Sequence, residues 1–194
     1  MAASYLRTTE ATKRAVTIEA VREYLNVDHR DDDALLSEII EAATRYVENR
    51  CCLAAMLQTW TLTLDNFNDE CFYLRGGVIW LPRAPLFAVA SFQYVDSDGA
   101  TQDLLSADYN VVTGPQDAQI EPAYGKSWPA VRAQGGAVTL THTAGASDEP
   151  SPMIRQAIKD FCADRYENRE LSLSPQVRAG IDATLQSEGR AVYG

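Results

Sequence analysis

The sequence predicts an α+β protein: a small helical bundle formed by N- and C-terminal helices, with a β-rich insert between them. Three observations predict it. Apolar residues recur at helical spacing between residues 17 and 50, alternate with polar ones between 58 and 143, and return to helical spacing after Pro152. Neither terminal helical region can bury its apolar stripe alone, so the two are expected to pack together.

Residues 1–16 are polar, show no periodic face, and are expected to form an arm that is flexible or ordered by a partner. Thr17 has the chemistry of an N-cap: a short β-branched oxygen that can accept from the first free amides of a helix. Ile18, Val21, Tyr24 and Leu25 follow on one face. Asp31-Asp32-Asp33 places acids where the positive end of a helix dipole favours them. The run Leu35, Leu36, Ile39, Ile40, Ala43, Tyr46 and Val47 then keeps a helical period to about Arg50. These two helices, residues 17–55, form the first half of the bundle.

The period changes in residues 56–145, the β-rich insert. Thr59–Leu64 alternates β-branched and aromatic or aliphatic residues, the pattern of a half-buried strand. Phe72–Leu74 and Val78–Leu81 read as strands around Gly76-Gly77, and Val89–Val95 as another. Asp96-Ser97-Asp98-Gly99 reads as a hairpin turn. Asp108–Val112 and Gln119–Ile120 are weaker strands, and Ala137–Thr143 alternates up to Gly145. Residues 146–170 hold the closing helix: Pro152 suits a first helical position, and Met153, Ile154, Ala157, Ile158, Phe161 and Cys162 form its stripe. Residues 171–194 form a polar tail in which only Val177, Ile181 and Leu185 recur at helical spacing.

Charge narrows the function. The net charge is −10, and residues 51–150 carry 4 basic against 11 acidic side chains. Such a surface lacks the counterion-release term behind sequence-independent DNA binding, and it would be repelled by anionic lipid. Neither sequence-specific nucleic-acid binding nor a membrane partner is expected. No apolar run approaches a membrane span, and Met1–Glu10 has no apolar core of a signal peptide. The four cysteines form no Cys-x-x-Cys pair, and His29 and His142 lie far from them in sequence. No metal site is expected, and the thiols suit a reducing cytoplasm.

Residues that suggest chemistry have simpler structural readings. Asp96–Gly99 lacks the distal ligands of a calcium loop, and three consecutive carboxylates at 31–33 do not converge on one ion. His142 sits in an alternating strand without a neighbouring nucleophile. Gly76-Gly77 and Gly135-Gly136 lack the strand–loop–helix context and the lysine of a phosphate cradle. No catalytic residue and no cofactor are expected. The loop Tyr124-Gly125-Lys126-Ser127-Trp128-Pro129 stands out, because tryptophan in a loop packs on something: the insert's own core or a neighbouring subunit. Trp128 and Tyr124 are the candidate inter-subunit residues.

Taken in order, these segments resemble the head–tail connector (adaptor, or head-completion) family of long-tailed bacteriophages and gene transfer agents. TIEAVREYLNVDHRDDDALLSEIIEAATRYVENRC looks like the family's opening helix pair, and LQTWTLTLDNF like its first insert strand. IWLPRAPLFAVASFQYVDSDGATQDL is similar to its Leu-Pro, Pro, Tyr-x-Asp-x-x-Gly pattern. DYNV, YGKSWP and AVTLTHTAG continue it, and PMIRQAIKDFCADRYENRE looks like its last helix. The segment Gln176–Gly194 departs from the pattern, being polar where relatives carry a compact apolar stretch.

The resemblance implies a structural virion protein at the head–tail junction, made in the host bacterial cytoplasm and working without catalysis. Its implied partners are the portal protein, neighbouring copies in a ring expected to be twelvefold, and a tail-side stopper or tail terminator protein. It also implies that the C-terminal tail engages the portal. Val177, Ile181, Leu185 and Tyr193 are the expected contacts, with the tail disordered until it binds. An acidic insert would repel packaged DNA passing through the neck. The competing class is a small β-rich ligand-binding or enzymatic domain with helical flanks. That reading requires a pocket of convergent polar groups.

Overall fold

The computed structural model describes residues 3–68, 70–114, 117–168 and 173–187. It is an α+β fold whose contacts divide the chain into two units, each discontinuous in sequence: residues 1–12 with 57–146, and residues 13–56 with 147–194.

The β unit stacks two antiparallel sheets. Its strands are β1 (Ser4–Thr9), β2 (Gln58–Leu64), β3 (Leu74–Arg75), β4 (Val78–Leu81), β5 (Leu86–Val95), β6 (Thr101–Asp103), β7 (Tyr109–Thr113), β8 (Ala118–Pro122) and β9 (Val138–Ala144). One sheet has the order β1-β2-β9-β5-β6 and the other β3-β4-β8-β7. Alternation decides which residues enter the core. Trp60, Leu62 and Leu64 of β2 and Val138, Leu140 and His142 of β9 are buried, while the threonines between them face outward. The outward residues form three cross-strand Thr–Thr pairs: 59 with 143, 61 with 141 and 63 with 139. From the other sheet, Leu74, Ile79, Leu81, Ala118 and Ile120 close the core against Phe92 and Leu140.

Strand β1 corrects the expectation of an unstructured arm. Ser4–Thr9 pairs with β2 along the edge of the larger sheet, and Tyr5 stacks on Trp60 at 5.1 Å. Edge pairing with a stacked ring fixes a segment whose own sequence has no strong face. Strand β6, also absent from the sequence reading, pairs with the end of β5 beyond the Asp96–Gly99 turn. That turn is as expected: Asp96 Oδ1 accepts from the amides of Asp98 and Ala100, and Gly99 takes φ 90°.

The helical unit contains α1 (Ile18–Leu25), α2 (Asp33–Arg50), α3 (Pro152–Glu167) and α4 (Pro175–Ser187). α1 touches α2 and α3, α2 packs along α3, and α3 carries α4. Thr17 caps α1 by accepting from the Ala20 amide, and Ser151 caps α3 by accepting from Ile154. The core is the predicted stripe: Val21, Leu36, Ile40, Ala43 and Val47 against Ile154, Ala157, Ile158, Phe161 and Cys162. The acidic run behaves differently from a simple cap. Asp32 occupies the cap position of α2 without a side-chain cap bond. It accepts instead from the Tyr166 hydroxyl at 2.6 Å, and Asp33 pairs with Arg22 at 3.3 Å.

Helix α4 is the second correction. The tail expected to be disordered alone contains a formed helix, because Ile181 and Leu185 are fully buried in the helical unit's own core. Arg50 on α2 grips Asp182 with two bonds, Nε to Oδ1 at 2.9 Å and Nη2 to Oδ2 at 2.7 Å. Asp164, buried on α3, accepts from the Ser174 amide at 3.2 Å and so ties down the start of α4.

Candidate functional site

Three titratable groups have their ionisation set by their surroundings. His142 is fully buried on the inner face of β9, with Nε2 3.0 Å from the Tyr5 hydroxyl and its ring stacked on that phenol. Burial pulls its imidazole down to about 4, so it stays neutral at physiological pH. Cys162 is buried in the helical core, which pushes its thiol up to about 12, far from a reactive thiolate. The Asp96 carboxylate is held below its ordinary value by Gln102 and by the backbone amides of its own turn. Among the described residues, no three His, Cys, Asp or Glu side chains converge as metal ligands. Among them, too, no helix is long and apolar enough to cross a membrane.

The residues expected to meet partners divide into two groups. In the loop after β8, Trp128 turns inward: its ring stacks on Phe67 at 4.8 Å and its Nε1 donates to the Gly77 carbonyl at 2.6 Å. Trp128 therefore packs on the β unit's own core, the first of the two readings its loop position offered. Tyr124, four residues earlier, is fully exposed. On α4, Ile181 and Leu185 face the core and Val177 is half-buried in the first turn. Tyr193 lies outside the described residues.

Sequence reasoning missed the feature that most resembles an interaction surface. Among the described residues, nine large apolar side chains are exposed, and seven of them lie in the β unit. Apart from Tyr124, they gather on two opposite flanks. On one flank the edges of β1 and β3 lie together, since Tyr5 meets Tyr73 at 5.4 Å. Leu6 and Phe72 protrude there, each 63% exposed. On the other flank, β5 and the edge strand β7 meet where Phe92 packs edge-on against Tyr109 at 5.4 Å. A groove runs between them, lined by Leu86, Phe87, Val89, Tyr109 and Val111. Phe87 is 60% exposed and Val112 49%. The signal was present in Val111-Val112, since adjacent apolar residues in a strand point to opposite faces and one must face out.

Comparison with known proteins gives a family match over part of the chain and a shared fold over nearly all of it. Residues 15–89 match the family described as Phage gp6-like head-tail connector protein. No curated protein matches the chain. Several solved chains match, and three of them share the fold over nearly their whole length. One, from the neck of an empty GTA particle computed with C6 symmetry, has TM-score 0.78 and 24% identity, covering 98% of this chain and 97% of that one. Another, from the virion of a native gene transfer agent particle, has TM-score 0.76 and 24% identity, covering 98% and 96%. The third, from the neck of a native GTA particle computed with C12 symmetry, has TM-score 0.72 and 22% identity, covering 98% and 97%. The family match thus covers residues 15–89, and the likeness over the rest of the chain is one of fold.

Proposed function

We propose that this chain is a head–tail connector, a structural subunit of a ring at the neck of a phage-like particle. One observation carries the reading: 98% of the chain superposes on a chain found in the neck of a GTA particle, with residues 15–89 matching the connector family.

The finer reading is a ring of twelve copies between the portal protein and a tail-side stopper or terminator. Its C-terminal segment would engage the portal. In this reading Ile181 and Leu185 anchor α4 to its own unit, and the outward side of that helix, beginning at Val177, meets the portal. The charge of −10 supports passage of DNA through such a ring, since acidic walls do not trap phosphates.

Electron microscopy of particles assembled without this chain tests the function. Filled heads lacking tails are expected. Tailed particles in normal numbers would contradict the reading.

A further inference from the structure

The two apolar flanks of the β unit differ in shape and edge. The β1/β3 flank offers protruding side chains, Leu6 and Phe72, whereas the β5/β7 flank offers a groove. The β unit has five basic residues, Arg7, Arg75, Arg83, Lys126 and Arg132. Arg7 lies on β1 and Arg75 on β3, with its guanidinium 5.3 Å from the Phe72 ring. Arg83 covers Trp60 at 4.7 Å, and Trp60 is the residue opposite Arg7. The opposite flank carries Asp103 on β6, Asp108 just before β7 and Asp117 just before β8, with Lys126 paired to Asp108 at 2.6 Å. Charge does not separate the flanks, since Arg7 is paired with Glu10 at 3.0 Å and Glu70 accepts from the Gly76 amide beside Arg75; shape does, with protruding side chains on one side and a groove on the other.

Resting on the ring reading above, we infer that these flanks are the two halves of one contact between copies. The β1/β3 side of one copy seats in the β5/β7 groove of the next. The occupant is a second copy of this chain because a closed ring of identical subunits joins head to tail, through two different and complementary patches on each subunit. This unit presents such a pair, a protrusion against a groove, with open strand edges on both. The edge of β7 and the first half of β5, beyond the reach of β6, also leave strand edges at the groove, where the neighbour's β1 edge can add backbone hydrogen bonds. Leu6 and Phe72 on one side, with Phe87 and Val111 on the other, are the residues that carry the contact.

The experiment uses the full-length chain with a photo-reactive phenylalanine at position 72, irradiated at millimolar concentration and mapped by mass spectrometry. Inter-chain products joining position 72 to residues 86–89 or 109–113 are expected. Products elsewhere, or none, overturn the inference. Two charge variants, Phe72→Glu and Val111→Glu, provide an independent reading by sedimentation. Both positions are exposed, so both variants are expected to melt close to the parent. Each alone should weaken self-association at least about tenfold. Mixed in equal amounts they should form a dimer and nothing larger, because each retains one intact half. A mixture that stays monomeric, or variants that associate like the parent, overturns the inference. The two readings fail separately. A chain that links through these flanks but is missing from particle necks sinks only the functional reading. A chain present in necks whose position 72 links elsewhere sinks only this contact.

Discussion

Arg50 at the end of α2 and Asp182 in the middle of α4 form a two-bonded ion pair, with side chains only 13% and 20% exposed. The pair joins helices 132 residues apart in sequence. It is the polar half of the device that makes the C-terminal segment part of the helical unit; the buried Ile181 and Leu185 are the apolar half.

Breaking that pair should loosen α4. Asp182→Asn keeps the shape and removes the charge, and is expected to cost about 1.5–3 kcal/mol by urea denaturation at pH 7. The Arg50 guanidinium holds the Asp182 carboxyl below its ordinary 3.8. A carboxylate depressed by folding contributes stability that is complete above the unfolded value and is lost as pH falls through the folded one. The cost of Asp182→Asn should therefore shrink below about pH 4. A cost that persists unchanged at pH 2.5 would contradict the assignment.

Ile181→Ala and Leu185→Ala should each destabilise the chain by about 2–4 kcal/mol, because each empties a fully buried position. Thermal melting of the isolated chain checks this. An unchanged melting temperature would mean that these side chains wait for a partner instead of filling the core.

His142 predicts a pH dependence of the opposite origin. Its folded value is about 4, below the ordinary 6.5, because burial disfavours the imidazolium. The unfolded chain binds the proton first as pH falls, so stability is full above about pH 6.5 and declines toward pH 4. The loss across that window is roughly 3 kcal/mol. His142→Gln should flatten that window in urea titrations. An unchanged slope would place the titrating group elsewhere.

Trp128→Ala should cost about 2–4 kcal/mol in the isolated chain, since the ring's stack on Phe67 and its bond to Gly77 are lost together. An inter-subunit role would give the reverse result, with stability unchanged and association lost.

The four thiols should separate under a disulfide reagent. Cys52 and Cys71 are partly accessible and should react in the native chain, whereas Cys51 and Cys162 should react only on unfolding. Rapid reaction of all four without denaturant would contradict the packing of the helical unit.

Periodicity made most of this fold legible in the sequence. The stripes at Leu36–Val47 and Ile154–Cys162 and the alternation at Thr59–Leu64 and Ala137–Thr143 each announce a buried face, and each is buried. What escaped depends on partners remote in sequence. Ser4–Thr9 becomes a strand only because β2 lies beside it, about fifty residues on, and Tyr5 finds Trp60. The thin stripe Val177–Leu185 looks marginal alone, but the face it meets on α3 and the Arg50 side chain are invisible locally. Trp128 announced that it packs on something, without naming Phe67. The opposed flanks were illegible because which edges share a side is a property of strand order, which no local pattern encodes.

The central claim is that this chain is a ring-forming subunit of a particle neck, and a neck reconstruction from particles that contain it tests that most directly. The account predicts density for this fold repeated around the DNA channel, with neighbouring β units in contact. A neck resolved at side-chain level with no copy of this chain in it would contradict the account.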